Sequence, residues 1–342
     1  MRIFGIDIDR GIYDAEVFKE LLQAALSDAK HRKGNVMTFF CDEEYEKVAK
    51  ECGLESGGPE MTFRDFSDDF FTIGNLAVLQ RMTHNGSYDF DFRNHFDCRS
   101  VFAQTDAPVL LHIGAVENYA EVEKAVAEMG MKLLIPEQEH LKYSTIERWY
   151  PMIQERTPFT KVYDALPALD RLGANFSFPI FVKGNRQTSR HDRSKCIIET
   201  AEAYETLRRE WNRDSILSWQ KVAVREYVPL QPVQAESYPG QVPISYEFRF
   251  FYANGRCVGY GQYWHTDSPY TLQPEDYEAA LSTADWAAER LGVVFAAIDL
   301  AKTASGQWII IEINDGQESG FAELNPISLW NRVISTLQEL KK

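Results

Sequence analysis

The chain has no long hydrophobic run, no excess of positive charge and no paired cysteines, and each absence removes a class of protein. No apolar stretch among its 342 residues approaches the roughly 20 residues that span a bilayer. The opening MRIFGIDIDRG lacks the charged and apolar regions of a secretory signal, so a soluble, cytoplasmic protein without a membrane partner is expected. Lys and Arg number 36 against 51 Asp and Glu, a net charge of −15, which is the wrong sign for non-specific binding to nucleic acid. Five cysteines (Cys41, Cys52, Cys98, Cys196 and Cys257) are scattered and form no CxxC pair. That spacing argues against a disulfide framework or a cysteine zinc site and fits reduced, packed thiols. Internal repeats and low-complexity tracts are also missing.

What is present is enough to fold. An apolar content of 44% with 13% aromatics excludes a largely disordered chain, and the length suffices for two or three packed modules. Hydrophobic periodicity predicts an N-terminal α/β domain over 1–150. It opens with the strand IFGIDI, an amphipathic helix Ala15–Lys30 and a strand Asn35–Cys41. Residues 51–105 read as irregular, with aromatic anchors. PVLLHIG, the helix Asn118–Met129 and MKLLIP then read as a βαβ unit that implies a parallel sheet, followed by a helix Leu141–Ile153. Asp7 and Asp9 share a strand face and could be ligands, though acids turned to solvent at a strand end are the favoured reading. His84, His95 and Cys98 invite a metal site, but their spacing fits none, and they read as structural.

The second half, 151–342, alternates as α+β with antiparallel strands. PIFVKG (179–184), a basic loop Asn185–Lys195, a returning KCII and a helix Thr200–Trp211 come first. The strand KVAVREYV (221–228) follows, then a polar linker Pro229–Ser245 and a hairpin YEFRFFY/RCVGYGQYW that turns at Asn254-Gly255. After the helix Pro274–Leu291, the strands Val293–Leu300 and Gln307–Ile313 flank a polar turn at 302–306. A turn centred on Ser305-Gly306 sets Asp299 opposite Glu312, and alternation puts Asn314 on the face of Glu312. Like charges directly opposite one another destabilise a sheet, so a hard divalent cation between them accounts for the arrangement; a surface hairpin with solvated acids is the other reading. Alternation in Tyr246–Phe250 likewise sets Glu247 and Arg249 on one face.

As a set, these segments resemble an ATP-grasp enzyme over roughly Pro136 to Phe321. The expected architecture is thus α/β then α+β, an ATP-grasp fold behind an N-terminal α/β (pre-ATP-grasp) domain. The resemblance implies that Asp299, Glu312 and Asn314 hold magnesium, that Lys183 and Lys142 contact ATP, that Glu226, Tyr227 and Val228 form the hinge against adenine, and that Glu247 binds ribose. Arg249, Arg225 and, from the basic loop, Arg190 would be the catalytic cations, with Arg186 and Arg193 the other loop candidates. Two features depart from the superfamily pattern: the loop after Gly184 has no internal glycine, and Ala297 stands where several such ligases carry an arginine. VREYVPL, EFRFF and EINDGQESG look closest to a clade defined by two arginines and one lysine, thought to modify peptides or similar substrates. The implied reaction is ATP- and Mg-dependent ligation of a small-molecule or peptide carboxylate to an amine or thiol through an acyl phosphate. A nucleotide-binding sensor or partner protein that has lost turnover is the alternative. Oligomeric state stays open, and a homodimer is compatible with the sequence.

Overall fold

The computed structural model describes residues 3–4, 19–20, 23, 35–36, 48, 51, 69–100, 106–116, 118–186, 188, 191–233, 240–267 and 269–339. The chain divides into two compact units, 1–136 and 137–342. The boundary therefore precedes the expected position near 150, because the helices of 137–153 pack on the last strand of the second unit.

In the first unit, β1 (Ile3–Phe4) and β2 (Asn35–Val36) pair in parallel. Most of the helix expected over Ala15–Lys30, and both Asp7 and Asp9, lie outside the described residues. The main sheet has the order β5-β3-β4-β6-β7, formed by β3 (Asp69–Ile73), β4 (Leu76–Gln80), β5 (Cys98–Ser100), β6 (Pro108–His112) and β7 (Lys132–Leu133). β6, α1 (Tyr119–Glu128) and β7 form the expected parallel βαβ unit, and Tyr119, Val122 and Val126 of α1 pack on Ala77, Leu79, Val109 and Leu111. The β3–β4 hairpin corrects the irregular reading of this region. β4 is buried at every position, so it shows none of the alternation that marks a half-exposed strand. Its one local signal is Gly74-Asn75 at the turn, where Gly74 has φ 59°.

The second unit opens with α2 (Glu137–Ser144) and α3 (Ile146–Ile153), separated at Thr145, rather than one helix from Leu141. Two antiparallel four-stranded sheets follow. The first, ordered β10-β9-β11-β8, contains β8 (Thr160–Tyr163), β9 (Ile180–Gly184), β10 (Ile197–Ile198) and β11 (Val222–Glu226). Ile180, Val182, Val222 and Val224 point into a core with Tyr204 and Leu207 of α4 (Ala201–Glu210). By alternation Phe181, Lys183, Ala223 and Arg225 occupy the other face. The second sheet, ordered β13-β12-β14-β15, contains β12 (Glu247–Ala253), β13 (Arg256–Gln262), β14 (Phe295–Lys302) and β15 (Trp308–Asp315). β12 and β13 turn at Asn254-Gly255 as expected, both residues having positive φ. α5 (Pro274–Leu291) starts with proline in its first turn and ends on Gly292 in the left-handed region. α6 (Pro326–Gln338) is capped by Asn325, whose side chain accepts from the Ser328 amide.

Candidate active site

The site is built on the β14–β15 hairpin. Its strands close at Lys302↔Trp308 and run in that register to Leu300↔Ile310; the next pair is Asp299↔Glu312, so Ile311 is the extra residue of a bulge. The bulge shifts the phase by one residue and sets the two carboxylates opposite each other. The Ile311 carbonyl accepts a hydrogen bond from Arg225 Nη1 at 2.7 Å.

Across β12, β14 and β15 the side chains form a row of alternating charge. Arg249 is the cross-strand partner of Asp299 and grips it in bidentate fashion, Nε to Oδ1 at 2.7 Å and Nη2 to Oδ2 at 2.8 Å. Glu312 on the other side accepts from Lys183 Nζ, which reaches across from the first sheet. Lys183 is 3% exposed and Asp299 is fully buried. Burial raises the pKa of Asp299 although Arg249 opposes the shift. Burial also works against the charge on Arg249, but the paired Asp299 outweighs it and holds the guanidinium above its ordinary value.

Glu247, buried at the end of β12, accepts from Ser245 Oγ at 3.0 Å and Trp264 Nε1 at 3.1 Å. Burial, reinforced by the Asp299 charge, pushes its pKa from 4.5 up to about 8. Folding therefore takes up a proton at Glu247 between those two values, and this contribution to stability is lost as pH rises through about 8. Denaturation midpoints measured from pH 5 to 8.5 should fall more steeply for the unaltered protein than for Glu247→Gln. Parallel profiles would remove the group from the balance.

A divalent cation fits the donor set. Among the described residues no cluster of three or more His, Cys, Asp or Glu could hold a metal. The donors here are two carboxylates and an amide, with Asn314 Nδ2 at 3.5 Å from Asp299 Oδ2. All three side chains offer oxygen, the ligand of magnesium and calcium, and each carboxylate is already matched to a cation.

The remaining expected residues fall in different surroundings. Glu226 takes its amide hydrogen bond to the Phe159 carbonyl, 2.8 Å, and Tyr227 and Val228 continue past the end of β11 partly exposed. Lys142 sits in the last turn of α2 and pairs with Glu139 at 3.2 Å. Arg225 shares the face of Lys183, and three of its five N–H groups bond Thr157 Oγ1, Thr160 Oγ1 and the Ile311 carbonyl. A long side chain on a central strand beside the bulge finds these uncharged acceptors within reach. Of the loop arginines, Arg190 lies outside the described residues, Arg193 pairs with Glu199 at the surface, and Arg186 is held beside Glu318.

Sequence reasoning passed over several neighbours. His191, at φ 58°, packs its ring edge-on to Trp264 with centroids 4.9 Å apart, and Tyr263 lies under the Arg249 guanidinium. The Lys183 and Arg249 cations work against protonation of His191, but burial is the larger cause of its lowered pKa. His140 is fully buried and bonded to Asp315. No motif announces His191 or His140, since each meets its partner from a distant segment, while Tyr263 follows β13, the strand next to Arg249.

Two antiparallel sheets joined by a lysine from one and a carboxylate from the other make up a fold of the ATP-grasp type. Residues 171–333 match the family model described as "ATP-grasp domain, R2K clade family 3", and that segment is an ATP-grasp domain of this clade. No curated protein matches the sequence. Among solved structures, a RimK domain protein ATP-grasp from Sphaerobacter thermophilus is similar at 13% identity, covering 99% of this chain and 100% of that one, with a TM-score of 0.48. The VanG D-Ala:D-Ser ligase of Enterococcus faecalis is 13% identical over 98% of both chains, TM-score 0.49. The D-alanine–D-alanine ligase of Bacillus anthracis is 11% identical over 99% and 97%, TM-score 0.46. Among the described residues no helix is long and apolar enough to cross a membrane.

Proposed function

We propose that the protein is an ATP- and magnesium-dependent ligase that joins a small-molecule or peptide carboxylate to an amine or thiol. The observation that carries this reading is the row Arg249–Asp299–Glu312–Lys183, contributed by two sheets that face each other. Mutually neutralised charges in a buried site are costly to keep unless a ligand uses them. Asp299, Glu312 and Asn314 would hold magnesium, which neutralises phosphate charge when bound.

The chain's own groups account for the rest. Lys183, held on a rigid strand, offers a point charge to the nucleotide phosphates. The backbone of Glu226–Val228 presents a donor and an acceptor to adenine, and Glu247 accepts from a ribose hydroxyl. A substrate carboxylate oxygen attacks the γ-phosphorus, and the bond to the bridging oxygen breaks with its electron pair leaving on ADP. The amine then attacks the acyl carbon, phosphate departs with the C–O pair, and the amine loses its proton to solvent. Arg249 stabilises charge that develops in both steps.

Thermal denaturation with and without Mg-ATP tests the reading. Ligand at 100 times its Kd should add about 2.7 kcal/mol of apparent stability, and ADP should then be released on addition of a suitable carboxylate and amine pair. A shift with no ADP release across a broad panel of pairs would favour the nucleotide-binding sensor. No shift with any nucleotide would overturn the proposal.

A further inference from the structure

The sequence left open which arginine of the basic loop meets the phosphates. The strand register gives the direction: Glu226 at the hinge lies opposite Ile180, and Ala223 opposite Lys183. From hinge to lysine is three residues, roughly 10 Å at the rise of a strand, and Arg186 stands three residues further on. It follows the end of β9 at Gly184 and so comes after Lys183 on the side of the strand away from the hinge.

The root of the loop is fixed at this point. Arg186 N donates to Gln220 Oε1 at 2.9 Å, and Asn185 Nδ2 bonds both oxygens of Glu147. Nη2 of the guanidinium lies 3.7 Å from Glu318 Oε2 and 3.3 Å from His140 Nε2, and the group sits over the Trp219 ring. Arginine can only donate, so His140 Nε2 is the acceptor. His140 Nδ1 lies 3.0 Å from Asp315 Oδ2 and carries the proton, which fixes the tautomer. Asp315 is itself held by the Gln317 amide at 2.9 Å and Gln317 Nε2 at 3.2 Å. Ser144 Oγ, 3.2 Å from Nε2, donates to the His140 carbonyl at 2.7 Å, so it is a fixed neighbour and not an activated nucleophile. His140 and Asp315 are buried, and they join α2, the end of β15 and the loop root in one polar chain.

We propose that His140, oriented by Asp315, is a positioning residue that aims Arg186 at the terminal phosphoryl group of the nucleotide. This rests on the ligase reading. A buried imidazole with one acceptor nitrogen fixes the plane of a guanidinium, which a carboxylate alone at 3.7 Å does less well. Arg186 thereby becomes the loop cation that distinguishes ATP from ADP.

Calorimetry with Mg-ATP and Mg-ADP on the full chain tests it. His140→Leu should weaken ATP binding on the order of tenfold and leave ADP binding unchanged. His140→Gln, which can accept from Arg186 and donate to Asp315, should restore most of the loss. Arg186→Lys should show the same ATP-selective defect, and adding His140→Leu to it should cost little more, because both changes break one coupled unit. Equal losses for ATP and ADP, or fully additive effects, would reduce His140 to packing and overturn the proposal. If His140→Leu fails to fold, Asp315→Asn replaces it in the cycle, since an amide there turns the tautomer and sets an N–H against Arg186. Unaltered protein that binds neither nucleotide would overturn the ligase reading, and the positioning role with it; normal wild-type binding with unchanged variants would overturn the positioning role alone.

Discussion

Glu312→Gln is expected to lower magnesium-dependent turnover by on the order of a hundredfold or more, with only a modest fall in the denaturation midpoint. The substitution keeps size and leaves an acceptor for Lys183, so the bond between the sheets survives while the charge needed by a divalent cation is lost. Asp299→Asn should be equally damaging to turnover but harder on the fold. Asp299 is fully buried and carries both hydrogen bonds of the Arg249 fork, so an amide would leave a buried guanidinium facing a neutral group that accepts through one oxygen only. Glu312 keeps 16% of its side chain exposed, and water can compensate there. The comparison is made by following ADP release and thermal melting in both variants. Normal turnover in either variant would remove that carboxylate from the metal set and, with it, the basis for magnesium dependence.

The site was legible in sequence where the information is local and lost where it depends on which segments meet. Asp299 and Glu312 follow from a hairpin turn and a period of two. The turn itself sits one step away from the Ser305-Gly306 centre, and the bulge at Ile311 restores the register that brings the acids together. Bulges leave no mark in the polarity pattern, because Ile309, Ile310 and Ile311 are alike in sequence. Arg249 was legible for the same reason as Glu247: both lie on the polar face of an alternating strand. His140 was not, since its partner Asp315 is 175 residues away and a histidine on a helix has no periodic signature. In the first unit the βαβ segment was readable from its alternating periods, whereas the all-buried β4 hid its hairpin. The domain boundary moved for a similar reason. α2 and α3 follow a βαβ unit in sequence but pack on later elements, α2 on β15 and α3 on α5, β8 and β15; β15 begins more than 150 residues later.

Arg225→Ala should destabilise the protein by about 3 to 5 kcal/mol, a larger loss than any other single change considered for the first sheet. Arg225 is 4% exposed and its guanidinium bonds Thr157 Oγ1 at 2.7 Å, Thr160 Oγ1 at 3.1 Å and the Ile311 carbonyl at 2.7 Å. Among the described residues no carboxylate is ion-paired with it, and burial pulls its pKa down to about 10, with Glu312 the largest opposing influence. Truncation would open a cavity next to Trp149 and strip the bulge carbonyl of a charged donor. Thr157 and Thr160 would lose less, because each hydroxyl also donates to a backbone carbonyl, of Ile310 and Pro158 respectively. Arg225→Met should therefore recover part of the stability by refilling the space, and Arg225→Lys should do no better, since one ammonium cannot reach acceptors spread around a planar fork. If the residue is a brace between β11 and the β15 bulge, the methionine variant will bind Mg-ATP with near-normal affinity once folded. A methionine variant that melts normally but has lost nucleotide affinity would instead make Arg225 a direct contributor to the field at the phosphates, acting through Glu312. The two outcomes separate because the same bulge that seats Arg225 also sets Glu312 against Asp299. A defect in bracing should shift that register and damage ADP and ATP binding alike, whereas a defect in field should grow with the charge of the nucleotide.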